Sequence, residues 1–194
     1  LLMWNGPRYD VMIDSEGGVV ALRTADGKLA FHTTKSNRFT VENWLASEGL
    51  PPDAVSASSQ QFACDQTGCV GKLADGALIA IPKNAAALLE DCGRAALIIA
   101  NRVIPEACTS AVIDRQTLAT TGAIALRRTA AGWEAVPSRS PGADRSWFGR
   151  AKAPDANALS RLNPVRPQKT VPLAPPTEFA GDAAGPEAPE GADQ

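Results

Sequence analysis

The chain has 194 residues, 44% of them hydrophobic and only 5% aromatic, with a formal net charge of -2 and a pI of about 5.5. That is enough for one domain of ordinary size with some excess, and it excludes a global basic field that would draw the protein onto nucleic acid. One histidine, His32, excludes a complete metal-dependent hydrolase, because a two-metal site needs several histidine and carboxylate ligands.

The chain opens Leu1-Leu2-Met3-Trp4, without the basic and apolar regions of a signal peptide. Residues 1–6 read as the end of a truncated membrane helix with Trp4 at the interface, or as a fragment boundary. No window approaches the ~20 apolar residues of a spanning helix. Tyr9–Ile13, Val19–Thr24 and Leu29–Thr33 then read as short strands, the second and third joined across Asp26-Gly27, a strong hairpin signal. Asp10, Asp14 and Glu16 form an acidic cluster near a turn, which a solvated loop also explains. His32 falls in the third strand pattern and reads as a partly exposed strand histidine, in preference to a Ser-His or Cys-His catalytic base.

Val41, Trp44 and Leu45 have helical spacing after Thr40, which predicts a short helix capped by Thr40 and ending near Gly49. Leu50-Pro51-Pro52-Asp53 is a break. Cys69–Leu73 and Ala77–Ile81 bracket Asp75-Gly76, a second hairpin. Asn84–Cys92 reads as a helix running into Gly93, and the apolar run Ala95–Ala100 as a buried central strand. Glu90-Asp91 opposes that helix's dipole, and Arg94 answers the charge. Ala111–Ile113 is a strand, Gln116–Thr121 a helical turn, and Ala123–Arg128 with Trp133–Val136 a final pair. The order predicts an α/β fold with a mixed sheet and short helices over residues 7–137.

From Pro141 onward come nine of the fifteen prolines, with a basic block including Arg145, Arg150, Arg161 and Arg166 and then an acidic one including Glu178, Asp182 and Glu187. Such a segment buries too little apolar surface to offset its ordering entropy, so 138–194 is expected to be a disordered Pro/Ala-rich tail. The four cysteines, Cys64, Cys69, Cys92 and Cys108, suit two disulfides in an oxidising compartment; buried thiols or a zinc site are the alternatives. Four residues separate Cys64 from Cys69, a spacing that fits a bridged turn better than a two-residue zinc knuckle.

The segments Val19–Phe31 (VVALRTADGKLAF), Phe39–Leu45 (FTVENWL), Cys64–Ile79 (CDQTGCVGKLADGALI), Leu88–Ile104 (LLEDCGRAALIIANRVI) and Ala111–Arg128 (AVIDRQTLATTGAIALRR) follow one another in a fixed order. With Trp133 and the tail sequence Asp144-Arg145-Ser146-Trp147, this series resembles the C-terminal region of the ComEC family, the inner-membrane DNA channel proteins of natural competence. The resemblance covers most of residues 7–148 and implies a metallo-β-lactamase-like domain. The chain departs from that fold's chemistry throughout. His32-Thr33-Thr34 stands where an aspartate is expected, Asn43–Ser59 holds no histidine, Leu78–Pro82 replaces a strand ending in Gly-Asp, and Asn101-Arg102-Val103 replaces His-His-Gly.

The resemblance therefore implies a degenerate, metal-free relative of partial metallo-β-lactamase-like architecture. It would be a non-catalytic domain, with no cofactor and no small-molecule substrate, docking on the membrane-embedded part of its own parent protein. It would lie on the periplasmic side of a bacterial inner membrane, where bridges Cys64–Cys69 and Cys92–Cys108 would persist. The second bridge would add about 3 kcal/mol by the chain-entropy model. An alternative is a weak single-stranded DNA-binding module, with Arg102, Arg115, Arg127 and Arg128 along one edge and the basic tail as an arm. A residual nuclease is the least favoured reading.

Overall fold

The computed structural model describes residues 8–34, 37–53, 55–56, 61–139 and 157–164. The short alternating runs form three antiparallel strands, β1 (Val11–Ile13), β2 (Val19–Arg23) and β3 (Leu29–Thr33), before helix α1 (Arg38–Ser47). After α1 come β4 (Val55–Ser56), β5 (Phe62–Cys64), β6 (Gly68–Lys72) and β7 (Leu78–Pro82), then α2 (Ala85–Asp91) and β8 (Leu97–Ala100). The last part runs β9 (Ala111–Asp114), α3 (Arg115–Thr121), β10 (Ile124–Thr129) and β11 (Gly132–Pro137), followed by a 3-10 turn at Ser160–Leu162.

The sequence reading expects one mixed sheet, and the structure corrects this to two. One is six-stranded, in the order β11-β10-β1-β2-β3-β4; the other is five-stranded, β5-β6-β7-β8-β9. Hydrophobic periodicity finds strands but carries no information on which sheet each joins. The sorting comes from the register: β10 pairs antiparallel with β1, Val11 opposite Leu126 and Ile13 opposite Ile124, so the β10–β11 hairpin joins the first sheet instead of extending β9. Strands β4 and β5, too short for a periodic signal, are absent from the sequence reading. Helix α1 begins at Arg38, with Asn37 at the cap position and Thr40 inside the first turn, so the expected Thr40 cap does not form.

Three apolar layers stack these elements. Val11, Ile13, Val20, Leu22 and Ala30 from the first sheet meet Phe62, Cys69, Ile79, Ile81, Leu97, Ile99 and Ile113 from the second. The alternate residues of the first sheet, Met12, Val19, Ala21, Leu29 and Phe31, face α1 through Leu45 and the half-buried Trp44, whose ring lies 6.4 Å from that of Phe31. On the far side of the second sheet, Ala80, Ile98, Ala100 and Val112 are covered by Leu88 of α2 and by Ile104 and Cys108. The order is helix, sheet, sheet, helix. Between the sheets a side chain at Gly71 has no room: a Cβ there would overlap Leu22 Cδ1 and lie 2.8 Å from Phe62 Cε1.

The tail expectation needs a correction at Asn157–Pro164, which packs against the domain. Leu162 is 2% exposed and joins the layer between the sheets, with Leu159 packed beside it. Asn163 accepts from Trp133 N at 2.7 Å and donates to Trp133 O at 2.8 Å. Arg161 donates to Ile104 O at 2.9 Å and Pro105 O at 2.8 Å. A composition averaged over a long window hides a docking element this short. Residues 140–156 and 165–194, with the reading placed on 1–6, lie outside the described residues.

Replacing Leu162 by Ala should therefore destabilise the domain by about 2–4 kcal/mol, the usual range for a buried leucine. Urea denaturation followed by tryptophan fluorescence measures this. An unchanged midpoint would place the segment outside the core.

Candidate functional site

The strand register sorts the polar residues between the two ends of the sandwich. β1 finishes at Ile13, opposite Val20 of β2, and β3 finishes at Thr33, opposite Val19. The parallel strands β7, β8 and β9 finish at Pro82, Ala100 and Asp114. One end thus carries the Asp14–Gly18 turn, His32, the Cys64–Cys69 pair, Lys83, Asn101, Arg102 and Arg115. This is the end where α/β sheets present ligand-binding loops, beyond the carboxyl ends of parallel strands. It holds a cleft of about 410 Å³ lined by Ser15, Glu16, Asn101, Arg115, Leu118 and Ala119. The opposite end carries the tight turns at Asp26-Gly27, Asp75-Gly76 and Ala130-Ala131, each between two antiparallel strands.

The four arginines proposed for nucleic acid do not line one edge. Arg102 and Arg115 are neighbours at the cleft end, where Arg115 N donates to Arg102 O at 3.4 Å and the Arg102 guanidinium donates to Lys83 O. Arg127 and Arg128 sit at the far end of β10 and are already engaged. Arg127 pairs with Glu134, its Nε donating at 3.1 Å, and that carboxylate raises the Arg127 pKa further. Arg128 lies 3.3 Å from Asp75 and 5.8 Å from the centroid of the Trp133 ring. Ile124–Leu126, the first half of β10, stand between Arg127 and the cleft end, a separation that residue spacing in the sequence cannot show.

Of the acidic cluster, Asp10 and Asp14 have structural partners, and Glu16 is exposed at the cleft. Asp14 accepts from Gly18 N at 2.7 Å and Val19 N at 3.1 Å, which closes the β1–β2 turn. Asp10 accepts from Arg128 N at 2.7 Å. Glu90 pairs with Arg94 at 2.6 Å, while burial and then the neighbouring Glu90 raise the pKa of Asp91, Arg94 opposing them. Asp114, which the sequence reading passed over, is buried. It caps α3 by accepting from Thr117 N at 2.9 Å and Thr117 Oγ1 at 3.0 Å, and it meets Arg161 at 3.3 Å. The Asp-x-x-Thr spacing at a helix start was the available signal.

The cysteines form two disulfides. Cys64–Cys69 joins directly opposed residues of β5 and β6, with Cα atoms 4.1 Å apart. Cys92–Cys108 ties the end of α2 to the loop before β9, with a Cα separation of 5.1 Å. His32 shares a face of β3 with Ala30 and so turns toward the second sheet, its ring 5.7 Å from that of Phe62. It is half-buried, in line with the strand reading, but it has company that the sequence does not show. Its ring nitrogen and the Sγ atoms of Cys64 and Cys69 all lie within 4.8 Å of one another. Burial, and secondarily the positive charge of Lys83, lowers the His32 pKa.

Comparison with protein-family models, curated proteins and solved structures gives no match for this chain. Among the described residues, no helix is long and apolar enough to cross a membrane.

A histidine whose pKa is lowered by folding binds its proton more readily in the unfolded chain, so stability must fall as pH drops below the ordinary histidine value of ~6.5. The loss continues until the folded-state pKa is passed. Urea midpoints measured from pH 7.5 down to pH 5 should therefore fall more steeply for the native protein than for His32→Gln. Parallel curves would mean that His32 titrates as it does in water.

Proposed function

We propose that this domain is a non-catalytic, extracytoplasmic docking module of a ComEC-like inner-membrane DNA channel. The observation that carries this reading is the pair of disulfides, each closing a short stretch of chain, since such bridges persist outside the reducing cytoplasm. The helix-sheet-sheet-helix layering supports the metallo-β-lactamase-like resemblance. The metal-free part of the reading rests on the sequence, where the positions that would carry that fold's ligands hold apolar or unrelated side chains such as Ile81, Pro82, Asn101 and Arg102. A domain of this shape offers a rigid surface to the membrane-embedded part of its parent protein, with the tightly turned end and the cleft end as distinct faces. The test is thiol trapping in cells that carry the complete gene. Alkylation before reduction should label none of Cys64, Cys69, Cys92 and Cys108, and alkylation after reduction all four. Four labelled cysteines without reductant would remove the extracytoplasmic placement.

A second reading is weak binding of single-stranded DNA, for which we propose Arg102 and Arg115. Arg115 lines the cleft and Arg102 follows Asn101, another lining residue, whereas Arg127 and Arg128 already face Glu134 and Asp75. Phosphate contacts of this kind weaken steeply with salt. If the reading is right, Arg102→Ala/Arg115→Ala should abolish an oligonucleotide shift at low salt that Arg127→Ala/Arg128→Ala leaves in place. No shift by the native chain at low salt would end it.

A further inference from the structure

His32, Cys64 and Cys69 form a group of side chains whose association the docking role does not use. They come from β3, β5 and β6, so the two sheets each contribute, and their potential ligand atoms already converge to within 4.8 Å of one another. Cys64 is exposed, Cys69 is buried and His32 lies between the sheets at their open edge.

We propose that this is a redox-gated site for a zinc-type d10 cation: closed while Cys64 and Cys69 are bridged, and opened by a dithiol reductant. The ligands would be the two Sγ atoms and one imidazole nitrogen of His32. This inference goes beyond the docking role and does not depend on it, because all three ligands belong to this chain.

The chemistry of the donor set selects the ion. Thiolate and imidazole together suit zinc or monovalent copper, while magnesium and calcium take oxygen ligands. With Zn–S near ~2.3 Å and Zn–N near ~2.0–2.1 Å, tetrahedral ligand atoms stand about 3.5–3.8 Å apart. The three atoms are thus within reach of that spacing after small side-chain rotations, once the S–S bond no longer holds the two sulfurs together. Three protein ligands leave a fourth position for water, and the exposure of Cys64 gives solvent and reductant access to it. Two thiolates and a neutral imidazole balance a dication, so Lys83 nearby would face a site with no excess positive charge.

The gating step is an ordinary exchange. The dithiol reductant attacks the bridge, the Cys64–Cys69 S–S bond breaks, and two electrons and two protons pass to the cysteines as the reductant closes into its own disulfide. The cation then displaces both thiol protons as it binds. The second bridge is an internal contrast. Among the described residues, Cys92 and Cys108 belong to no comparable group of three ligands, so their reduction would open no such site.

The experiment uses the full chain, oxidised and phosphine-reduced, with Zn²⁺ as the probe in competition with a chromogenic chelator. Co²⁺ substitution reports sulfur ligation through its charge-transfer absorption. The reduced chain should bind one Zn²⁺ and the oxidised chain none. His32→Ala should weaken binding by about tenfold or more, a ligand mattering at least as much as the outer-shell partners of a metal site. Cys64→Ser should weaken the sulfur-to-cobalt band, since Cys69 is then the one sulfur ligand left to the site, and circular dichroism of both variants in the absence of metal checks their folding. Equal binding by the oxidised chain, no binding by the reduced chain, or an affinity indifferent to His32 would each overturn the proposal. The last holds whether or not the reduced chain keeps its native circular dichroism, so unfolding on reduction does not rescue it.

Discussion

Val11, Met12 and Ile13 are buried on both faces of a strand that also has neighbours on both sides. A backbone in that position must find every hydrogen-bond partner within the protein, because water cannot reach it. One partner, β2, is local and arrives through a tight turn. The other, β10, lies more than a hundred residues further on. The domain therefore closes only when the end of its chain returns to the beginning, and the second sheet is held between these two events. The same closure brings α3 across the end of the sandwich, where Leu118 joins the central layer, and so shapes the cleft.

What the sequence discloses follows from the range of each signal. The Asp26-Gly27 and Asp75-Gly76 turns, the strand in the run Ala95–Ala100 and the helix entering Gly93 are local patterns; the turns form where expected, the strand occupies Leu97–Ala100, and the helix occupies Ala85–Asp91 with Asn84 as its cap. The division into two sheets depends on pairing between distant segments, which periodicity does not encode. The same limit separates the two kinds of site residue. The spacing of Cys64 and Cys69 suggested a bridged turn, since both cysteines lie in one hairpin. His32 reached them only through the stacking of one sheet on the other, and Arg127 was divided from Arg102 by strand direction. Local chemistry was readable; convergence was not.

Energetically, the cleft end and the turn end differ in kind. The turn end is built from short hairpins and ion pairs on the surface, such as Arg128 with Asp75, which contribute little individually. The cleft end is built from loops held by carboxylates, Asp114 buried and Asp14 half-buried. Asp114 caps a helix while holding Arg161, and Asp14 closes a turn through two backbone donors. Such groups restrain loops that would otherwise move independently, and a fixed constellation of polar side chains depends on that restraint.

The clamp of Asn163 on Trp133 has one more consequence. β11 is the outermost strand of its sheet, and an outermost strand exposes backbone groups that another chain can use to add itself. The amide of Asn163 occupies the N–H and C=O of Trp133 in the way a neighbouring strand would, with a single side chain. It blocks edge-to-edge association there without offering a new edge in its place. One side chain from outside the sheet thus does at that position what a charged or covered edge does elsewhere, and guards it against aggregation.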